Sequence, residues 1–585
     1  AKPDKGSGIA MVCTFGDLTD VTWWRELQLP TRTLIGRDGR FAAETPEWIS
    51  SEAGRAFYAE SIAGKTVFSA KEAVVTALTE AGLMDGEPKK VQHAVNFYEK
   101  GDKPLEIVTS RQWYIRNGGR DADRREQLIA RGRELDWHPE HMRHRYENWV
   151  EGLNGDWLVS RQRFFGVPIP VWYRLDAEGE PVYDEPIVPE DAALPVDPVA
   201  ETAPGFTEDQ RDQPGGFTGD PDVLDTWATS SLTPQIVGRW SRDEEFFANV
   251  FPFDLRPQGH DIIRTWLFST VVRADALNGS VPWTDTALSG WILDPDRKKM
   301  SKSKGNVVVP TDILEEFGSD AVRYWASSAR LGADTAYEVA QMKIGRRLAI
   351  KLLNAAKFVL NLGATRDAVV RTPEDAARVT NALDASLLAR LAATVEQATR
   401  AFEAYDYARA LNVTEQFFWA FTDDYVELVK DRAYGGHGEA EQASVVAALA
   451  TTLDSLLRLL APFQPFATEE VWSWWRTGSV HRAPWPGLES EAAGLRAAAE
   501  GGDPQVLAFV AQVLGRVRKA KSEAKVKQRT QVRTATVRAA AAQLDALRGG
   551  LADLKGAGNV ADVTLTEADG ELEVTDIELA PAEEA

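Results

Sequence analysis

The chain has 585 residues, of which 26% are charged and 44% are apolar, and a formal net charge of −22. This length predicts several domains, and the excess of acids argues against a protein that coats nucleic acid non-specifically. No apolar run is long enough to span a bilayer, so no membrane partner is expected. The single cysteine, Cys13, excludes internal disulfides and cysteine-based zinc sites, and it favours a cytoplasmic protein.

The first hundred residues predict a strand, a turn and several helices. Residues 9–12 form an apolar run typical of a buried strand, and the sequence TFGDLTDVTWWRELQLP follows as a turn and a short helix. Asp17 and Asp20 in this sequence are either helix caps or functional carboxylates. Residues 42–86 have a helical pattern broken by glycines, and residues 105–108 predict a strand that enters another domain.

The next region mixes helical, extended and irregular segments. Residues 121–157 are predicted to be helical, and SRQRFFGVPIPVWY (residues 160–173) changes from helical to extended at Gly166. Residues 184–219 are rich in proline, aspartate and glycine, which predicts a loop.

The sequence FPFDLRPQG (residues 251–259) predicts a strand, and a helix begins directly after it. Ligands of doubly wound α/β sheets bind at the carboxyl ends of strands, where glycine permits close approach of the backbone. Gly259 and Asp261 therefore predict a nucleotide site in which the carboxylate accepts hydrogen bonds from ribose hydroxyls. In the alternative interpretation, Asp261 is only an acid favoured by the helix dipole.

Residues 297–306 read RKKMSKSKGN and lie between a predicted strand (residues 288–294) and a predicted helix (residues 313–317). Four lysines, two serines and a glycine in so short a loop suit a bound polyanion. The alternative is a solvated basic turn. The phosphate-loop pattern GxxxxGK[ST] occurs nowhere in the chain.

The last half of the chain is predominantly helical. Apolar residues recur every three or four positions from residue 339 to about 486, and the aromatic residues among them are interpreted as core. A basic helix follows over residues 506–527, and a helix with alternating segments then predicts a small α+β appendage. The basic segment between Arg516 and Arg529, with Arg518, Lys519, Lys521, Lys525 and Lys527, is either a solvated face or a contact with nucleic acid.

The five residues from Lys299 to Ser303 spell KMSKS, which resembles the mobile ATP loop of class I aminoacyl-tRNA synthetases. The sequences GHDIIRTW and TFGDLTDVTWW further resemble the valine-specific members of that family. The resemblance implies that Lys299 and Lys302 are catalytic, because they stabilise charge at the α-phosphate of ATP. It also implies an ATP-binding set: Gly259, Asp261, Lys299, Met300, Ser301, Lys302 and Ser303.

The same resemblance implies a second pocket and a second activity. Trp227 and Ile262 would contact the valine side chain in a small apolar slot. Such a slot excludes isosteric threonine poorly, so a hydrolytic editing domain accompanies it in the family. Asp20, and with it Asp17, would bind the amino group of the misattached amino acid during editing.

The resemblance implies a multidomain α/β plus α protein. Its parts would be a remnant of the editing domain (residues 1–107), the C-terminal part of a Rossmann-like catalytic domain (108–335), a helical anticodon-binding domain (336–490) and the α+β appendage (500–585). ATP and substrate-associated Mg²⁺ are the expected cofactors, with no zinc. The expected partners are valine, ATP and tRNA(Val), and a monomer is expected.

The chain also departs from the family pattern. None of its seven histidines lies in the HIGH motif with which class I enzymes hold ATP, and the first half of the nucleotide fold is not found. The chain is therefore interpreted as a fragment or one half of a split valine–tRNA ligase, and it is not expected to be active alone. The alternatives are an isoleucine–tRNA ligase, disfavoured because Gly-x-Asp-Gln is absent, and a non-catalytic tRNA-binding module.

Overall fold

A computed structural model describes residues 18–27, 29–89, 97, 105–301, 305–363 and 365–580 of the chain. The chain divides into two compact units. The first comprises residues 1–115 with 158–160, and the second comprises residues 116–157 with 161–585.

The first unit is small and mainly helical around a core of Tyr58, Ile62 and Ala70. The prediction of helix over residues 42–86 is right only in part, because residues 42–51 are irregular and the chain turns at Gly64, where φ is +69°. The predicted strand at residues 105–108 is wrong, and the predicted strand at residues 9–12 lies outside the described residues. Its elements are α1 (Leu18–Glu26), α2 (Glu52–Phe57) with a π-helical extension (Tyr58–Ile62), α3 (Val67–Glu80) and β1 (Tyr114–Ile115).

The second unit begins with a mixed α/β region that carries most of the candidate site residues. Its helices and strands, with β3 and β4, each of which has one residue in the first unit, are α4 (Ala122–Glu134), β2 (Asp136–His138), α5 (Arg143–Glu151), β3 (Trp157–Leu158), β4 (Ser160–Arg161), β5 (Trp172–Leu175), β6 (Pro181–Ile187), β7 (Phe217–Gly219), β8 (Val223–Leu224), α6 (Thr226–Ser230), α7 (Thr233–Val237), α8 (Glu244–Val250), β9 (Phe253–Gly259), α9 (Phe268–Asn278), β10 (Trp283–Ser289), β11 (Ile292–Leu293), α10 (Pro310–Phe317), α11 (Ser319–Ser327) and β12 (Thr335–Ala336).

The sheet that organises this region is parallel and has the strand order β2-β10-β9. The predicted strand and the helix after it are confirmed as β9 and α9, which are joined by a 3₁₀ turn (His260–Ile262) and a π-helical turn (Ile263–Leu267). The prediction of a helical region over residues 121–157 is right only in part, because the strand β2 separates the helices α4 and α5. Trp137 in β2 is buried beside Tyr146, and burial of this ring outweighs the helical pattern around it.

A second, antiparallel sheet has the order β6-β5-β7. It corrects the prediction of a loop over residues 184–219, because the ends of that segment pair with β5. Trp172, Ala203 and Phe217 form its core, so the long connection is anchored by apolar burial as well as by its turns. No helix is present over residues 160–166, where one was predicted.

The helical region that follows has one large apolar core. One of its three 22-residue helices, α17 (Glu439–Leu460), is long and apolar enough to cross a membrane, contrary to the expectation from the sequence, but 94% of its apolar stretch is buried, as in a core helix. The helices are α12 (Val339–Leu360), α13 (Thr365–Ala368), α14 (Ala382–Glu403), α15 (Tyr407–Trp419), α16 (Val426–Ala433), α17 (Glu439–Leu460), α18 (Pro465–Trp475) and α19 (Glu489–Ala499).

The C-terminal appendage has the predicted α+β pattern, with a sheet of order β14-β13-β15. Its first helix shares the large core of the helical region through Val506, Leu507 and Val510, so the two regions are packed together. The elements are α20 (Pro504–Glu523), β13 (Val532–Ala539), α21 (Ala541–Arg548), α22 (Leu551–Gly558), β14 (Val560–Glu567) and β15 (Glu573–Leu579).

Candidate nucleotide and amino-acid site

The site forms where two neighbouring parallel strands end. β9 ends at Gly259 and β10 ends at Ser289, and these two residues are partners in the register of the sheet. The loops that follow the strands therefore start side by side. The carboxyl edge of a parallel sheet is the usual ligand-binding edge, because the loops leave a crevice there.

The first of these loops forms a glycine–aspartate corner. A Cβ atom at Gly259 would lie 2.7 Å from Oδ1 of Asp261, so any other residue would displace the carboxylate. Asp261 itself is exposed in the 3₁₀ turn His260–Ile262. The structure thus brings Gly259 and Asp261 together, with an accessible carboxylate that can accept hydrogen bonds from hydroxyl groups.

His260 lies between these two residues and was set aside in the sequence analysis because it is not in a HIGH motif. The structure buries its side chain, with Nδ1 2.7 Å from Nη1 of Arg145 and Nε2 3.8 Å from Oδ1 of Asp334. Burial, and next the charge of Arg145, lower the pKa of His260. The imidazole is therefore held neutral, with Nδ1 accepting from the guanidinium. In the sequence, the only sign that His260 belongs to this site is that it directly follows Gly259.

The second loop begins as a tight hairpin. Leu293 forms an antiparallel bridge with Lys299, and Arg297 at the turn has a φ of +60°. The backbone N–H of Lys298 donates to Oδ1 of Asp294 over 2.7 Å. This bond, and next a bond from Asn306, lower the pKa of Asp294, so its carboxylate is ionised and fixes the turn.

Asn306 closes the loop on its far side. Its Nδ2 donates to Oδ2 of Asp294 over 2.8 Å, and its Oδ1 accepts from the backbone N–H of Ser301 over 2.9 Å. Sequence reasoning treated Asn306 only as the tail of a motif and missed this link. Lys299 is exposed, Met300 and Ser301 are half-buried, and the predicted residues Lys302 and Ser303 lie outside the described residues.

The two residues predicted to contact the amino acid lie on adjoining elements. Trp227 is in α6, whose N-cap Asp225 accepts from the backbone N–H of Trp227 over 2.8 Å. α6 packs on the π-helical turn after Ile262, where Nε1 of Trp266 donates to the carbonyl of Ser230 over 3.1 Å. Trp227 and Ile262 are both half-buried. Their joint role as a pocket stays a prediction.

The chain was compared with known proteins. A family model described as tRNA synthetases class I (I, L, M and V) matches residues 59–338, and one described as anticodon-binding domain of tRNA ligase matches residues 384–536. The relatives include curated valine–tRNA ligases. That of Thermobifida fusca is 61% identical over 100% of this chain and 65% of its own length. Those of Leifsonia xyli and Salinispora tropica are each 57% identical, covering 100% and 97% of this chain and 66% and 67% of their own lengths.

The chain belongs to the class I aminoacyl-tRNA synthetases, among the valine–tRNA ligases. It spans about two thirds of the length of these curated relatives. The two domains predicted from the KMSKS loop and from the helical pattern, a class I catalytic domain and an anticodon-binding domain, are confirmed.

Two further predictions for this synthetase concern the editing residues and metal binding. Asp20 lies in the first turn of α1 and is half-buried, and Asp17 lies outside the described residues. Their editing role therefore stays a prediction. Among the described residues, no group of three or more His, Cys, Asp or Glu side chains is arranged to hold a metal ion.

The basic helix of the appendage differs from its prediction at Lys521, which is buried, and at Arg518, which is half-buried. Lys521 is buried, and its Nζ donates to the carbonyls of Gln528 (2.9 Å) and Gly558 (2.7 Å). Burial lowers the pKa of this lysine, whose position is structural. The exposed basic face of the synthetase is thus smaller than the sequence indicated, and it keeps Arg516, Lys519, Lys525, Lys527 and Arg529.

Proposed function

We propose that this chain is part of a valine–tRNA ligase, which activates valine with ATP and transfers it to tRNA(Val). The observation that carries the proposal is 61% identity to a valine–tRNA ligase along the whole chain. The register of β9 and β10 supports it, because the segments that follow Gly259 and Ser289 start side by side.

The first step of this reaction needs no side-chain nucleophile. A carboxylate oxygen of valine attacks the α-phosphorus of ATP, an O–P bond forms, and the bond to the leaving pyrophosphate breaks. Negative charge increases around the α-phosphate in the transition state, and Lys299 and Lys302 stabilise it there. Asp261 orients the ribose. Mg²⁺ enters with the phosphates of ATP as part of the substrate.

Trp227 and Ile262 would select valine in a small apolar slot, in which a larger side chain does not fit. Threonine has nearly the same shape as valine and is rejected only weakly by such a slot. Editing of threonine by Asp20, with Asp17, would correct this error in the longer protein. This role follows from the resemblance of residues 14–30 to the family.

tRNA would bind along the helical region and the basic face of the appendage. Phosphate contacts depend on local positive charge, so the net charge of −22 does not oppose such a contact. We further propose that the protein acts as a monomer in the cytoplasm.

The test is reconstitution with the part of the Thermobifida fusca enzyme that this chain does not match. The purified pair is assayed for ATP–pyrophosphate exchange with valine, isoleucine and threonine, and then for charging of tRNA(Val). Exchange that depends on valine supports the proposal. Exchange that prefers isoleucine would favour an isoleucine–tRNA ligase. Binding of tRNA without exchange would favour a non-catalytic tRNA-binding module.

A further inference from the structure

Trp291 lies between β10 and the lysine hairpin, and its indole contacts both loops of the site. Nζ of Lys299 lies 3.9 Å from the centroid of the indole, above its face. The imidazole of His260 lies 4.9 Å away, centroid to centroid. Trp291 thus joins the KMSKS lysine to the glycine–aspartate corner.

The backbone of Trp291 is held on both sides. Its N–H donates to Oδ1 of Asp334 over 2.8 Å, and its carbonyl accepts from the N–H of Thr335 over 2.9 Å. A Cβ atom at the preceding Gly290 would lie 2.2 Å from the carbonyl oxygen of Ala333, so the two segments touch at the backbone. These contacts therefore fix the backbone from which the indole extends.

The indole ring is oriented by the residues that contact it. The indole Nε1 is buried, and it has no hydrogen-bond acceptor among the residues that the structure describes. Contacts with His260 and Lys299 consequently set the ring position. Since the backbone of Lys299 is bridged to Leu293, both ends of the lysine side chain are constrained.

A cation–π contact is weak at an exposed site and stronger when the cation is desolvated. Its free energy is comparable with the rotamer entropy that a lysine side chain loses when it is fixed. The contact is thus strong enough to restrict Lys299, yet a phosphate, which bears full charge, can compete for the ammonium.

We propose that Trp291 is a positioning residue for adenylation, which holds the Lys299 ammonium beside the Gly259–Asp261 corner before ATP binds. The proposal rests on the proposed function for its catalytic consequence. A charge placed in advance needs less reorganisation in the transition state, so loss of the indole face should lower turnover through Lys299.

The first test needs no activity and uses this chain alone. Wild type, Trp291→Phe and Trp291→Leu are labelled with a limiting amount of acetic anhydride, and acetylation of Lys299 and Lys298 is measured by mass spectrometry. We expect Lys299 to react about 2–5-fold faster in Trp291→Leu than in wild type or Trp291→Phe. Lys298, which is 70% exposed, should react equally in all three.

Equal labelling of Lys299 in every variant would contradict the proposed contact between Lys299 and the indole of Trp291. Circular dichroism checks that each variant is folded.

The second test is a double-mutant cycle in the reconstituted enzyme. Trp291→Leu should lower the turnover of valine-dependent exchange about 3–10-fold, and Trp291→Phe should keep most of it. In a Lys299→Met background, Trp291→Leu should have no further effect, because its effect passes through the lysine. Additive losses would assign Trp291 a merely structural role and overturn the proposal.

Absence of exchange in the wild-type pair would instead refute the proposed function, while the labelling test still decides the position of Lys299.

Discussion

Two arginines with buried guanidinium nitrogens differ sharply in their surroundings. Arg432 in the helical region is 2% exposed and donates to Asp384 over 2.6 Å and to Asp553 over 2.9 Å. Arg256 in β9 lies over the face of Trp266 at 3.3 Å, and its Nε and Nη2 have no hydrogen-bond partner within the described residues. The same is true of both polar side-chain atoms of Gln258, two residues along β9.

The two regions differ in whether this chain itself supplies hydrogen-bond acceptors for the arginine. Buried polar groups in folded proteins are almost always paired, and a buried charge without a partner is costly. The helical region neutralises the charge of Arg432 within this chain and joins α14 to α22 by doing so. The parallel sheet β2-β10-β9 does not do this for Arg256, and among the described residues β9 is an edge strand of that sheet. We therefore expect this sheet to receive acceptors from another segment or from its substrates.

The largest effect is expected from Asp384→Asn. Asp384 accepts hydrogen bonds from Arg432, Tyr425 and Ser444, and the variant leaves the guanidinium without a full counter-charge. Breaking such a buried pair typically costs about 3–5 kcal/mol. Urea unfolding followed by circular dichroism measures this loss.

The matched control is Asp423→Asn, which removes an exposed pair with Lys351. It should cost less than about 1 kcal/mol. Equal losses in Asp384→Asn and Asp423→Asn would mean that the buried network does not stabilise the helical region.

The KMSKS loop should give the next largest effect, measured in the reconstituted enzyme. Removing one preorganised charge from a site of this type typically lowers the rate about 10²–10³-fold, or about 2.7–4 kcal/mol. Lys302→Ala should lower the turnover of adenylation by this factor, with a smaller change in the apparent affinity for valine. Lys304→Ala should cost much less, although it removes the same charge from the same loop. Equal losses, or a change in ATP binding alone, would refute the role of Lys302.

Arg256→Met tests the arginine of β9 in the same way. Because Nε and Nη2 of Arg256 have no hydrogen-bond partner among the described residues, replacing it by an apolar side chain of similar length should change the free energy of unfolding of this chain by less than about 1 kcal/mol. Arg432→Met, measured in the same way, should cost about 3–5 kcal/mol because it leaves Asp384 and Asp553 buried. Similar losses in both variants would contradict the contrast between the two regions.

The pH dependence of stability tests His260. Its pKa is lowered in the folded state, so the unfolded state binds the proton more readily. The stabilising contribution is thus present above the ordinary histidine pKa of about 6.5 and is lost as pH falls below it. Wild type should lose more stability than His260→Gln over that interval in urea titrations. Parallel losses in the two proteins would place the histidine outside the buried, neutral state.

The smallest effect is expected on tRNA binding. Lys519→Glu with Lys525→Glu should flatten the dependence of log Kd on log salt, since each lost phosphate contact removes about 0.9 from the slope. The control Lys71→Glu, on exposed α3 of the other unit, should leave the slope unchanged. An unchanged slope in the double variant would make the basic helix a solvated face.

The features that sequence reasoning predicted are those encoded locally. β9 and α9 follow from an apolar run, a glycine and a periodic helix, and the KMSKS loop from a contiguous motif. β2 was missed because three residues within a helical pattern become a strand only through pairing with β10 and burial of Trp137. Lys521 was misread because its acceptors, the carbonyls of Gln528 and Gly558, come from two other segments of the appendage. The Trp291–Lys299 contact likewise depends on the hairpin.

The most direct measurement of the central claim is valine-dependent ATP–pyrophosphate exchange by this chain alone and after titration with the unmatched part of the Thermobifida fusca enzyme. The account predicts no exchange above background from the 585-residue chain, because a lysine loop and one corner cannot orient ATP by themselves. Exchange should then rise to saturation as the second part is added. Measurable exchange by the chain alone would contradict the account.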